Sequence, residues 1–328
     1  MPRPEPAVGR AAAGDRFPCG DRPRSADAAD LADAVRAASA LRGLNPAGVR
    51  LIHHYSNAVY HLPAEGVVAR VTWGVDASRR LTVAQQVVRW LVDQHRFPAT
   101  APASRVEPVH PDPQITVTFW RHYPQPQSAG KPTSDHLGRL LQMLHGIAEA
   151  PPVQLDRWVP LAALHATLTS GRTAIEALRP DERDWLLDEV HRLREELDRL
   201  DWPLGFGLIH GDAWAGNLLW DAAAGSDAAI LTDWDWVSYG PREIDLIPTW
   251  HATRRYGRGP AWTIAFVARY GYDLAASPVF TILMRMRDLV QITGPLRRAA
   301  DSEAHREALR QRLDAIRAGD TTATWKAL

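Results

Sequence analysis

The sequence predicts an α+β protein, with a small antiparallel sheet and two helices in its first third and a mainly helical remainder. Three observations carry this. Short apolar, β-branched runs are bunched before residue 121, and Ala64-Glu65-Gly66 forms a hairpin turn between two of them. From about Leu137 the apolar residues recur at helical spacing instead. A second set of strand-like runs interrupts those helices between Gly207 and Asp233, which departs from the strand-helix alternation of a parallel doubly wound sheet.

Residues 1–24 are rich in Pro, Gly, Arg and Ala and read as a disordered leader. A helix is expected over Ser25–Leu44, with Ser25 as cap, Leu31, Val35 and Leu41 on one face, and Asn45-Pro46 as the stop. Strands follow at Val49–His54, Ala58–Leu62 and Val67–Val71. The spacing of Val83, Val87, Val88, Trp90 and Leu91 predicts a helix over Thr82–His95, and two more strands lie near Val106 and at Gln114–Trp120. After a turn-rich segment, His122–Pro132, helices are expected at Leu137–Ala148, Leu161–Leu168 and Asp181–Leu200. The interrupting strands are Gly207–Asp212, Leu218–Asp221 and Ala229–Asp233, the last two joined by a turn at Ala223–Ser226. From about Glu243 the chain is helical again, at Trp262–Tyr270, Pro278–Ile292 and Glu303–Arg317, and no internal repeat is present.

Of the 328 residues 45% are hydrophobic and 23% charged, enough apolar surface for one large domain or two coupled lobes. The 38 basic and 38 acidic side chains cancel, which argues against a nucleic-acid partner. The balance is uneven: residues 151–250 hold 8 Lys+Arg against 18 Asp+Glu, and residues 251–328 hold 13 against 7. Much of the acidic excess lies in Asp181–Asp201, whose spacing reads as a solvated helix face. The single cysteine, Cys19, leaves no intrachain disulfide and no cysteine metal cluster, and a reducing cytoplasm fits. No signal peptide or membrane-length apolar run is present, so no membrane partner is expected, and the state is read as a monomer or homodimer. The thirteen histidines show no HxxxH or HExxH spacing, which argues against a zinc site.

The chemistry concentrates in Leu208-Ile209-His210-Gly211-Asp212-Ala213-Trp214-Ala215-Gly216-Asn217. Phosphoryl transfer needs a carboxylate to hold the acceptor hydroxyl in line and take its proton, and a neutral amide oxygen nearby to ligate a metal. A tight loop with a glycine beside the acid presents Asp212 and Asn217 to one point. The strand Ala229-Ile230-Leu231-Thr232 then ends in Asp233, 21 residues after Asp212, where a carboxylate can coordinate the magnesium that bridges nucleotide phosphates. Asp212 is therefore the candidate base, and Asn217 and Asp233 are the candidate metal ligands.

HGDAWAGN, LTDWDW and the following GPREIDL resemble the aminoglycoside phosphotransferase and choline kinase-like family, related in fold to protein kinases, over most of the chain from about Ser25. The resemblance implies a two-lobed, protein-kinase-like fold: an N-lobe over residues 25–121 that binds nucleotide, and a C-lobe over 122–328 that carries the catalytic loop and the acceptor site. It implies ATP as donor, with GTP open, Mg2+ as the cation, and a small-molecule hydroxyl as acceptor. Ser56-Asn57-Ala58-Val59-Tyr60 stands where the family has its phosphate-covering turn, and Arg70 occupies the place of the phosphate-gripping lysine. Ile115–Trp120 resembles the strand entering the interlobe hinge, which makes Phe119 and Trp120 candidates at the nucleotide, though either ring reads equally as core. Asp245 is similar to the family's structural acid, and His145 reads as a structural histidine. In one respect the sequence departs from the pattern: where the family's helix glutamate would pair with the cation, Ala84, Gln85 and Gln86 stand, and the partner of Arg70 is left open.

The expected activity is transfer of the γ-phosphoryl group to a hydroxyl of a small molecule, with antibiotic inactivation as the leading use. A primary-metabolite kinase (choline, homoserine or a sugar) and an inactive nucleotide-binding pseudokinase are the alternatives. A protein kinase is disfavoured by the lack of an Ala-Pro-Glu motif and of an activation segment between Asp233 and Gly240. Arg254, Arg255, Arg258, Arg285 and Arg287 make the C-terminal helices basic and tilt the acceptor toward a neutral or anionic molecule.

Overall fold

The computed structural model describes residues 28–54, 57–103, 107–126, 130–170 and 176–328. The expected leader, Cys19, the Ser25 cap, Ser56 and Val106 lie outside the described residues. The first helix, α1 (Ala28–Leu41), lies on a five-stranded antiparallel sheet of order β1-β2-β3-β5-β4, formed by β1 (Arg50–His54), β2 (Ala58–Leu62), β3 (Val67–Trp73), β4 (Val109–Asp112) and β5 (Ile115–Arg121). β4 contains Pro111 and sits at the sheet edge, where the missing N–H costs no ladder bond. Leu31, Val35, Tyr60, Val71, Val117 and Phe119 fill the core between α1 and the sheet. This is the N-lobe.

Helix α2 (Val75–His95) begins seven residues before the expected start at Thr82. Its first turns pack through polar contacts that hydrophobic periodicity cannot register. The Ser78 hydroxyl donates to the Gly74 carbonyl (2.9 Å) and accepts from Thr116 Oγ1 (2.5 Å), while Thr116 also meets His110 Nδ1. Farther along, Val87, Val88 and Leu91 join a larger core that takes in Leu140, Leu186 and Leu283 of the helical C-lobe, so α2 packs on the sheet while its buried stripe is continuous with that core.

That C-lobe holds α3 (Ser134–His145), α4 (Ala162–Thr169), α5 (Pro180–Asp198), α6 (Glu243–Arg255), α7 (Pro260–Tyr270), α8 (Phe280–Val290), α9 (Thr293–Arg298) and α10 (Glu303–Arg317). Leu186, Val190, Leu193 and Leu197 form the buried stripe of α5. The acidic face of α5 is less solvated than expected: Glu182 is fully buried, accepts from Arg310 at 2.8 and 2.9 Å, and takes the Arg179 N–H at the helix start. Two short hairpins break the helices, β6 (Phe206–Ile209) with β9 (Ser238–Pro241), and β7 (Leu218–Trp220) with β8 (Ala229–Leu231). β6 ends at Ile209, three residues short of the expected Asp212, because His210–Asp212 leaves the ladder to form a loop. The lobes are stitched where Leu231 N–H donates to the Pro98 carbonyl and Thr100 N–H to the Leu231 carbonyl, two residues before Asp233. No described helix is long and apolar enough to cross a membrane.

Candidate active site

The loop carrying Asp212 is held from beneath by one buried carboxylate. Asp245, in the first turn of α6 and fully buried, accepts the Gly211 N–H on Oδ1 (2.8 Å) and the His210 N–H on Oδ2 (2.7 Å). His145 Nε2 reaches the same Oδ2 at 3.1 Å, and its Nδ1 meets the Tyr270 hydroxyl at 2.8 Å. Both residues therefore sit where a bracing role requires, as the sequence reading expected. Tyr270 is pushed well above the ordinary phenol range by burial and by the Asp245 charge, so it stays a neutral hydrogen-bonding group. Gly211 has φ +83°, and a Cβ there would lie 2.3 Å from the Trp236 carbonyl oxygen, so the turn before Asp212 admits only glycine.

His210 is a second, internal brace. Its Nδ1 accepts the Asp212 N–H (3.3 Å), which leaves Nε2–H to donate to the Thr232 carbonyl (2.9 Å). The same ring lies 4.7 Å from that of Trp234, which is itself buried. Asn217 closes the loop: its Nδ2 donates to the Asp212 carbonyl (3.0 Å), and its own carbonyl accepts the Thr232 N–H (2.9 Å). With the nitrogen so engaged, the amide oxygen is the end left to meet a cation. The HGDxxxxN spacing is thus the length of loop that lets Asn217 return to the backbone of Asp212 while lying beside the strand that leads to Asp233.

Asp233 is one of three described non-glycine residues with positive φ, at +65°. A left-handed residue costs of order 1–3 kcal/mol, less for Asp than for most side chains, and persists where its surroundings hold it. Here Trp234 holds it, buried and donating Nε1–H to the Leu231 carbonyl (3.1 Å). The turn presents two carboxylates to Arg70 on β3, whose Nη2 donates to Asp235 Oδ2 (2.6 Å) and Asp233 Oδ1 (2.8 Å). The Asn57 amide, with both of its ends satisfied, accepts from Arg70 Nε (3.2 Å) and donates to Thr72 Oγ1 (2.8 Å). Burial works against both charges: it opposes the Arg70 cation, which the two carboxylates more than restore, and it pushes Asp235 up despite Arg70 beside it.

The partner of Arg70, open in the sequence, is therefore this acid pair, with Asn57 as support. The residues at the expected glutamate position do not serve it: Ala84 is core, and Gln85 is buried and donates to the Phe119 carbonyl (3.3 Å). Phe119 and Trp120 need a correction. Phe119 is 0% exposed in the core under α1, and Trp120 is buried with Nε1–H on Thr118 Oγ1 (2.9 Å), so neither ring forms a nucleotide surface. The Phe119 carbonyl is also taken, by Ala103 N–H.

Two residues at the site had no individual role from sequence: Asp235 was not named, and Arg287 stood only among the five arginines of the C-terminal helices. Asp235 is visible in LTDWDW, and its alternation with Asp233 across a buried tryptophan is the signal that was there to read. Arg287, on α8, places Nη2 3.1 Å from Asp212 Oδ1. It lies 75 residues from Asp212 in the chain, and nothing local in the sequence distinguishes it from the arginines around it.

A five-stranded sheet lobe stitched to a helical lobe, with the Asp212 loop and the Asp233 turn of the second lobe gathered where Arg70 reaches down from the third strand, is the architecture of a protein-kinase-like small-molecule phosphotransferase. The chain belongs to the Phosphotransferase enzyme family (APH), which matches residues 16–280. Among solved structures, an amicoumacin kinase in complex with AMP-PNP and Ca2+ is similar at 16% identity and TM-score 0.63, covering 90% of this chain and 98% of that one. A microcompartment-associated aminopropanol kinase is similar at 18% identity and TM-score 0.63, covering 88% and 99%. The aminoglycoside phosphotransferase APH(3'')-Id from Streptomyces rimosus is similar at 16% identity and TM-score 0.57, covering 79% and 98%. Comparison with curated proteins finds no match.

Proposed function

We propose that this enzyme transfers the γ-phosphoryl group of ATP to a hydroxyl of a small molecule, with Asp212 as base, Asn217 and Asp233 as cation ligands and Arg70 as the phosphate grip. The observation that carries this reading is the meeting of Arg70, from the N-lobe sheet, with Asp233 at 2.8 Å, on a turn whose strand is bonded to the Asn217 loop. The division of labour follows the chain: residues 25–121 hold the nucleotide, and residues 122–328 hold the base and the acceptor. The similar amicoumacin kinase, bound to a nucleotide and a divalent cation, supports a nucleotide and a cation here.

The donor set fits magnesium. Asp233 is partly exposed, the Asn217 oxygen is uncommitted, and Asp235 Oδ1 is buried without a hydrogen-bond partner among the described residues. Few protein oxygens with no His or Cys suit an ion that keeps phosphate oxygens and water as its remaining ligands. When bound, the ion offsets charge on the transferring phosphates. Arg70 holds phosphate oxygens as a fixed cation on a rigid strand. Asp212 takes the proton of the acceptor hydroxyl as its oxygen bonds to the γ-phosphorus, and the β–γ bridging bond breaks with its electrons leaving on ADP.

An antibiotic acceptor is supported by two of the similar structures, which are named for antibiotics; the aminopropanol kinase supports the second reading, a metabolite kinase. A cytoplasmic site of action is supported by the single cysteine. The test is mass spectrometry of the protein incubated with Mg-ATP or Mg-GTP and pooled hydroxylated antibiotics and metabolites, with Asp212→Ala as control. A product 80 Da heavier that is absent from the control is expected, where the mass is that of one added phosphoryl group (about 80 Da by its chemistry). Undiminished turnover in the Asp212→Ala variant overturns the assignment.

A further inference from the structure

The basic C-terminal helices offered five arginines as acceptor contacts, and the structure sorts them. Arg255 is fully buried and spends its guanidinium on Asp288 (2.6 and 2.9 Å) and on the Asp320 and Ala323 carbonyls. Arg285 pairs with Glu196 (2.8 Å), while Arg258 lies over Trp262 and Arg254 over Phe280. Only Arg287 reaches the candidate base, with Nη2 at 3.1 Å from Asp212 Oδ1. Its side chain is 12% exposed, and its Nε is buried without a hydrogen-bond partner among the described residues.

We propose that Arg287 is the specificity-determining residue of the acceptor site, and that the acceptor carries an anionic group, carboxylate or phosphate ester, close to the hydroxyl that is phosphorylated. The inference rests on the phosphotransferase reading of Asp212. Its physical basis is the state of the guanidinium. A buried donor with no acceptor is a standing cost unless a ligand fills it, and a guanidinium presents two parallel N–H groups to a carboxylate or phosphate. The neighbouring acid does not supply that acceptor: Asp288 turns its oxygens to Arg255 and His251 instead. The Glu196 carboxylate is likewise engaged by Arg285. An acceptor bearing a cation beside its hydroxyl would meet Arg287 as a like charge, while Asp212 is already paired with that arginine. An anion has the opposite effect: it takes the Arg287 N–H groups and releases Asp212 from the ion pair, leaving the carboxylate free to accept the hydroxyl proton. Binding of the right acceptor thus frees the base.

The test uses full-length protein, Mg-ATP and acceptors matched in skeleton but not in charge: glycerate, glycerol and serinol, and gluconate, glucose and glucosamine. Phosphorylated product is read by mass spectrometry and acceptor-independent ATP hydrolysis by ADP release, for wild type, Arg287→Gln and Arg287→Lys. The expected result is that the anionic member of each set has the highest kcat/KM. Losing one charged hydrogen-bonded contact should raise its KM roughly 10- to 100-fold in Arg287→Gln, with partial recovery in Arg287→Lys, while the KM for ATP does not follow. Preference for a neutral or cationic member, no turnover of either anion, or an unchanged KM in Arg287→Gln overturns the inference. In those cases, ATP hydrolysis that Asp233→Asn abolishes shows that the phosphotransferase reading survives; absence of nucleotide turnover by wild type brings both down.

Discussion

Replacing Asp245 with asparagine separates the brace of the catalytic loop from its chemistry. The carboxylate takes Gly211 N–H on Oδ1 and both His210 N–H and His145 Nε2 on Oδ2, in a fully buried position. Asparagine keeps one oxygen, and in either orientation its NH2 faces at least one backbone N–H. A hydrogen bond to a charged acceptor is worth roughly 1.5–3 kcal/mol and a stranded buried donor costs roughly 1–3 kcal/mol. Removing a buried charge returns part of its desolvation cost, so a net loss of about 2–4 kcal/mol is expected. Against a typical total stability of about 5–15 kcal/mol this is a large fraction. Urea denaturation followed by tryptophan fluorescence reads it, and kcat should fall more than the KM for ATP, because Asp212 loses its position while the Arg70 region is untouched. A variant with the wild-type urea midpoint and wild-type kcat would refute the idea that Asp245 positions the loop.

Three further outcomes follow from the same geometry. Asp235→Asn should raise the KM for ATP roughly ten-fold or more, by removing the shorter of the two charged contacts to Arg70, and steady-state kinetics at varied ATP measures it. Gly211→Ala should cost more than about 1–2 kcal/mol, since its φ is unfavourable to any Cβ and the added atom meets the Trp236 carbonyl; a thermal melt checks it. His251 is buried and lowered to about 4, chiefly by burial and then by Arg287 and Arg255 against the pull of Asp288, so at neutral pH its Nε2–H donates to Asp288 as a neutral ring rather than forming an ion pair. A histidine lowered in the folded state is protonated first in the unfolded chain. Its contribution is complete above about pH 6.5 and is lost as pH falls toward about 4, which amounts to about 2 kcal/mol between pH 7 and pH 5. Urea midpoints at the two pH values, in wild type and in His251→Asn, which cannot titrate, isolate that term; equal pH slopes would exclude it.

The parts of this protein that were legible in the sequence are those whose physics is local. The hairpins around Gly66 and between Leu218 and Leu231, the stripe on α5 and the His-Gly-Asp loop each announce themselves within about a dozen residues. The start of α2 did not, because Ser78 and its polar partners stand where a hydrophobic pattern looks for apolar residues. Strand β9 was missed for a similar reason: Ser238-Tyr239-Gly240-Pro241 has little strand character and is paired only because β6 lies beside it. At the site, the local motifs presented Asp212, Asn217 and Asp233, whereas Arg287 and the true partners of Arg70 come from tertiary contacts spanning 75, 163 and 165 residues. Phe119 marks the reverse limit. An aromatic next to a hinge pattern reads as a ligand contact until the register of β5 shows which face it occupies.

That register also explains why the cation on β3 is anchored from the loop rather than from α2. Val67, Ala69, Val71 and Trp73 point into the core under α1, which turns Val68, Arg70 and Thr72 toward the opposite face of the sheet. On that face, the inward stripe of α2 is committed to the large shared core through Ala84, Val87, Val88 and Leu91. A carboxylate in that stripe would pay the desolvation of a charge surrounded by aliphatic side chains, with one cation as its only compensation. Asp235 meets the same cation from the Asp233 turn, where Arg80 adds positive charge. The consequence is mechanical. When a glutamate on a helix sets the cation, its position depends on how that helix sits against the sheet; here one turn, wedged by Trp234, sets both the acid proposed to hold the metal and the cation proposed to hold the phosphates. Movement of that turn would shift the two together, so the proposed metal ligand and the proposed phosphate grip form a single unit spanning the lobes.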